Sequence, residues 1–108
     1  MTAPFVTELR VSGSPIRLAP AGAASMPVRV EMPDVWRTVL IEALPETPVL
    51  DLKLAALRVL QPRAEFAEDF VLKLRGWEVL DERATLQEIG AVSGSIFLLG
   101  YRRRRPVR

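Results

Sequence analysis

The sequence predicts an α+β domain, a mixed sheet of four to five strands packed on one helix in the order β-β-α-β-β. Three observations predict it. Residues 28–32 and 38–43 are strand-like runs on either side of a Pro33-Asp34 turn, a single long helical period occupies residues 48–60, and two more strand-like runs follow at 70–74 and 96–99. A sheet with one solvated face must cover its other face with something apolar, and the lone long helix is the available cover.

The first hairpin is read from Val28, Val30 and Met32 alternating with Arg29 and Glu31, followed after the turn by the β-branched and apolar run Thr38 to Ala43. Thr47-Pro48 then offers an N-cap with proline at the first helical position. Val49, Leu52, Ala56 and Leu60 recur at helical spacing until Pro62 stops the helix, and Leu50, Leu54 and Leu57 widen its apolar surface beyond one stripe. The expected core joins that stripe to Val28 or Val30, one side of Val39 to Ala43, Leu72 or Leu74, Phe97 and Leu99. Phe70, Leu72 and Leu74 form the third strand, which ends at Gly76. A short extended piece at Glu78 to Leu80, an acidic turn at Asp81-Glu82 and a helical turn from Thr85 to Ile89 follow. Thr85 is expected to cap that turn and Gly90 to close it in the left-handed region.

These elements set the domain limits. Residues 1–26 are read as an N-terminal extension: Phe5, Thr7, Leu9 and Val11 alternate with polar residues, a pattern that with Ile16 and Leu18 could close a short hairpin, after which Ala19 to Pro27 reads as linker. Residues 27–101 are the folded domain and residues 102–108 a basic tail. The extension is expected to be flexible or to dock onto the body or a partner, in preference to joining the core sheet.

Composition narrows the chemistry by subtraction. The 108 residues hold no Cys and no His, which removes disulfides, thiol nucleophiles, thiolate metal sites, the commonest general base and the commonest zinc ligand. The carboxylate pairs Glu68/Asp69 and Asp81/Glu82 are sequence neighbours of the kind found in polar turns. Ser93 lies in VSGS with no base to activate it, and the glycines match no phosphate-binding fingerprint. The expectation is a protein that is not an enzyme, with no catalytic residue, no cofactor and no metal. No run reaches the eighteen apolar residues of a membrane span and no continuous apolar stretch marks a signal peptide, so the expected compartment is the cytoplasm. Thirteen Arg against two Lys points to a GC-rich bacterial source.

The net charge of +2 hides a body of −3 over residues 1–100 and a tail of +5 in YRRRRPVR. The tail reads either as a solvated end or as a binding element for an acidic protein surface, for nucleic-acid phosphates or for an anionic membrane. Nucleic acid is disfavoured, because the body lacks the basic folded face that such proteins add.

The stretch Thr85-Leu86-Gln87-Glu88-Ile89-Gly90 with Gly94, Phe97 and Leu99 resembles the closing signature of the ubiquitin-like family. Leu72-Lys73-Leu74-Arg75-Gly76 is similar to the strand and glycine turn that precede that signature, and Leu52-Lys53 falls where the family's helix places Leu-Lys. The resemblance covers residues 28–101 and implies the β-grasp fold with other proteins as partners. Conjugated members end in Gly-Gly, whereas here that slot falls on Arg105 and Pro106, leaving Gly100 as the one late glycine at which processing would release a modifier. The resemblance extends most naturally to non-conjugated bacterial members, which include accessory proteins of type VII-like secretion machines. A modifier processed near Gly100 is the alternative, and a polyanion-binding adaptor acting through the Arg tail is the second.

The family's apolar docking patch has its central position on Lys73 here and another on Gly100. Trp36, Trp77 and Tyr101 lie in the same neighbourhood, together with Arg102, Arg103, Arg104 and Arg105. Either the tryptophans close the edge of the core, or these residues form a protein-binding surface, since Trp, Tyr and Arg are enriched at hot spots. A free sheet edge and a spare N-terminal strand also raise homodimerisation by strand addition.

Overall fold

The computed structural model describes residues 15–102. Seven elements follow in order: β1 (Ile16–Arg17), β2 (Met26–Met32), β3 (Arg37–Ala43), α1 (Val49–Leu60), β4 (Phe70–Leu74), β5 (Trp77–Glu78) and β6 (Ile96–Tyr101). The strands make one six-stranded sheet in the order β1-β3-β2-β6-β4-β5. The β1–β3 and β2–β6 pairs are parallel and the other three antiparallel. This is the mixed sheet on one helix that the sequence predicts, with two-residue strands added at each edge.

The core forms where the periodicities place it. Val28, Val30, Met32, Val39, Ile41, Leu72, Phe97 and Leu99 point from the sheet to Val49, Leu52, Ala56 and Leu60 of α1, all essentially without solvent contact. Period two in the strands and period 3.6 in the helix thus put all of these side chains into one apolar layer.

Three local features differ from the sequence reading. First, Pro48 and not Thr47 is the N-cap of α1, and it offers no side-chain oxygen. The Thr47 hydroxyl instead accepts from the Leu44 amide (2.9 Å). The first free amides of the helix are met from elsewhere: Val49 donates to the Ala84 carbonyl (2.9 Å) and Leu50 to that of Glu82 (2.8 Å). Leu86 in turn donates to Thr47 (2.9 Å), and Pro48 bridges Thr85, so residues 82–86 are stitched to the start of α1.

Second, Ile16–Arg17 pairs alongside Ile41 and Glu42, and the amides of Leu18 and Ala19 both donate to the Glu42 carbonyl. Arg17 pairs with the Glu42 carboxylate and donates to the carbonyls of Pro20 and Ala23. One guanidinium with several planar donors thereby organises the Pro20–Ala23 stretch, which the sequence alone reads as linker. The alternating segment Phe5 to Val11 lies outside the described residues.

Third, β4 ends at Leu74 and not at Gly76, and the extended piece is Trp77–Glu78 where Glu78 to Leu80 was expected, because a two-residue turn with both central residues left-handed, Arg75 (φ 52°) and Gly76 (φ 85°), returns the chain at once. The Thr85 turn behaves as expected. Its hydroxyl accepts from the Glu88 amide (3.1 Å) and the Glu88 carboxylate accepts from the Thr85 amide (2.8 Å), a reciprocal capping box closed by Gly90 at φ 85°.

Candidate functional site

The sheet has one face under α1 and one open to solvent. Register places Arg29, Leu40 and Ile96 in one row of the open face, and Glu31, Thr38, Leu98, Lys73 and Glu78 in the next. Lys73, Ile96 and Leu98 are exposed there. Gly100 stands opposite Val71 in the β6–β4 ladder, and a cleft of about 180 Å³ runs past them between Lys73, Leu98 and the Pro33-Asp34 turn. Lys73 and Gly100 therefore do share one surface.

Both tryptophans project into solvent, Trp36 being 73% and Trp77 79% exposed, so neither closes the core edge. Trp36 ends the turn between β2 and β3 in a left-handed conformation (φ 54°, ψ 43°) that a bulky aromatic residue adopts only at a cost. Trp77 opens β5 on the other side of β6 and β4. Three strand spacings, about 14 Å, separate their strands, so the two aromatics do not form one patch.

Tyr101 and Arg102 occupy a third place. Tyr101 lies against the Phe70 ring (centroids 4.7 Å apart), and its hydroxyl accepts from the Gln61 side-chain amide at the end of α1 (2.7 Å). The Arg102 amide donates to the Asp69 carbonyl (2.7 Å). Its guanidinium donates to the Glu68 carbonyl (2.8 Å) and to the Glu78 carboxylate (3.4 Å). The first arginine of the tail is thus tied to the body, while Arg103, Arg104 and Arg105 lie outside the described residues.

Two features escape a reading of the sequence. A groove of about 400 Å³ runs along the β4–β5 edge, floored by Leu74 and Val79 and walled by Trp77, Leu80 and Ile89. Leu80 is 84% exposed. The other feature is Lys53, 1% exposed on α1, whose ammonium donates to the Glu82 carboxylate (2.7 Å) and to the Phe70 carbonyl (3.1 Å). The signal for it was present: Lys53 is the sole charged position on a helix face otherwise made by Val49, Ala56 and Leu57. Glu82, read from the sequence as part of a polar turn, is its counter-ion. Among the described residues no cluster of three or more metal-ligating side chains occurs, and no helix is long and apolar enough to cross a membrane.

No protein-family profile and no curated protein sequence matches the chain. Solved structures do. The ubiquitin-like domain of an Arabidopsis thaliana protein superposes with a TM-score of 0.62 at 18% identity, over 84% of this chain and 92% of that one. Caldiarchaeum subterraneum ubiquitin gives 0.62 at 16% identity, over 74% of this chain and 96% of its own. ATBAG1, solved in complex with HSP70, gives 0.57 at 22% identity over 70% of this chain and 40% of that one. At these identities the likeness shows the fold, which is ubiquitin-like.

Proposed function

We propose that this chain is a non-catalytic ubiquitin-like protein-interaction module of a bacterial multiprotein system, similar in role to the accessory proteins of type VII-like secretion, and that it works in the cytoplasm. The observation that carries the reading is the state of its C-terminal strand. A conjugated modifier needs a free, flexible arm after its last strand. Here Gly100 is held in the ladder opposite Val71, and the two residues after it are anchored by the Phe70 ring, Gln61, Glu68, Asp69 and Glu78. Cleavage after Gly100 would remove those contacts and leave no arm. ATBAG1, a structural neighbour solved with a protein partner, supports an interaction role for this fold.

Protein partners would meet the exposed side chains Trp36, Lys73 and Trp77, with the tail from Tyr101 to Arg105 adding charge. The test is the intact mass of the protein from its native host together with partner binding by Trp36→Ala and Trp77→Ala variants. An intact C-terminus and weakened binding are expected. A mature form ending at Gly100 would sink the reading in favour of the modifier.

A further inference from the structure

We propose that the β4–β5 edge is a self-association face, at which two copies of this chain pair antiparallel about a two-fold axis at Glu78. The backbone supplies the first reason. Val79 donates to the Leu72 carbonyl (2.9 Å) and Lys73 stands opposite Glu78, so Glu78 takes the position of the β4–β5 ladder that makes no bond to β4. Its N–H and C=O point outward from the terminal strand of the sheet, beyond which no strand lies among the described residues. An open edge of this kind pairs with another strand. Facing residues of an antiparallel pair can exchange both bonds, so Glu78 of one copy satisfies Glu78 of the other.

The side chains select this edge over the opposite one. Trp77 and Leu80 are 79% and 84% exposed on either side of it, whereas β1 at the far edge bears no large, fully exposed apolar side chain. They also select a second copy as the occupant. Arg75 lies three residues before Glu78 and Asp81 three after, so the antiparallel pairing brings Arg75 of each copy toward Asp81 of the other. Glu78 itself is contacted by Arg102 of its own chain (3.4 Å), which offsets the two carboxylates that meet at the axis. A patch that meets itself must carry both signs of charge at opposite ends, and this one does.

The area sets the strength. Trp77 and Leu80 present on the order of 300 Å² per copy, and the exposed Arg75, Gly76, Glu78 and Asp81 about as much again. Roughly 600 Å² from each copy is below the ~800 Å² of a standard interface, so the dimer is weak and depends on concentration. It would cover Trp77, and a protein that docks through Trp77 would compete with the second copy.

The test is sedimentation equilibrium of the full chain from about 10 μM to about 1 mM, repeated on variants. A weight-average mass that climbs from monomer toward dimer is expected. Trp77→Ala and Leu80→Asp should each weaken association more than about tenfold, and Leu98→Asp on the open face should leave it unchanged. Arg75→Asp and Asp81→Arg should each weaken it about fivefold, and both together in one chain should restore it, because the reversed charges complement each other again. Circular dichroism checks that each variant folds, and Leu80→Asp, at an almost wholly exposed position, keeps the contact testable if Trp77→Ala does not fold. A chain that stays monomeric throughout, or an association that Leu80→Asp leaves intact, would overturn the proposal. So would a double charge reversal that fails to restore the dimer. Either failure leaves the interaction-module reading standing, since that reading is tested by intact mass and by binding to other proteins.

Discussion

Removing Glu82 should destabilise the domain more than removing Lys53, although the two share one ion pair. The Lys53 side chain is 1% exposed, while the Glu82 side chain keeps 20% of its surface. Glu82→Ala leaves a positive charge in the core with only the Phe70 carbonyl beside it. Stranding one member of a buried pair costs about 3–5 kcal/mol. Lys53→Met instead leaves a carboxylate that turns to water, while the thioether keeps the packing of the lysine stem. Its cost is the lost charged hydrogen bond, about 1.5–3 kcal/mol, reduced by the removal of a buried charge. With a domain of this size standing about 5–15 kcal/mol above its unfolded state, the difference is measurable. In thermal melts Glu82→Ala should lower Tm by at least about 12 °C, at roughly 4 °C or more per kcal/mol. Thermal melts followed by far-ultraviolet circular dichroism are the assay, because both tryptophans are solvent-exposed in the native state and their fluorescence is a poor reporter of unfolding. Lys53→Met proving as costly as Glu82→Ala would refute the reasoning, and a Lys53→Met/Glu82→Leu double variant should recover most of the loss.

Trp36→Gly removes a bulky residue from left-handed backbone and should raise stability by about 1 kcal/mol in the same melts, while weakening partner binding. A loss of stability would mean that the indole packs in a way its exposure does not show. Truncation after Gly100 removes the Tyr101 stack and hydrogen bond along with the Arg102 contacts. It should cost about 2 kcal/mol, and a truncated chain as stable as the full one would reopen the modifier reading. Affinity for a polyanion such as heparin, if the Arg tail carries it, should fall steeply between low and moderate salt. A flat response would exclude phosphate-type binding by the tail.

Much of the fold was legible because periodicity encodes which face of an element is buried. The alternation of Val28, Val30 and Met32 and the spacing of Val49, Leu52, Ala56 and Leu60 specify the core before any contact is known. Thr85, Glu88 and Gly90 were legible for a related reason, since a capping box is closed within a few residues. Partners distant in sequence were not. Lys53 and Glu82 meet across 29 positions, and the amides that begin α1 find carbonyls more than thirty residues further on. The candidate site suffered in the same way. Trp36, Trp77 and Tyr101 look like one aromatic group along the chain, yet strand order sends them to three places.

The bonds of Glu82, Ala84 and Leu86 tie the loop between β5 and β6 to the first turn of α1, so the two segments open together. The amides of Val49 and Leu50 cannot reach solvent until the Glu82 and Ala84 carbonyls release them, so their hydrogen exchange reports on the loop and not on helix fraying alone. Leu80 and Ile89 belong to that same loop and wall the groove. Whatever steadies that loop would slow exchange at the start of α1, on amides it never touches.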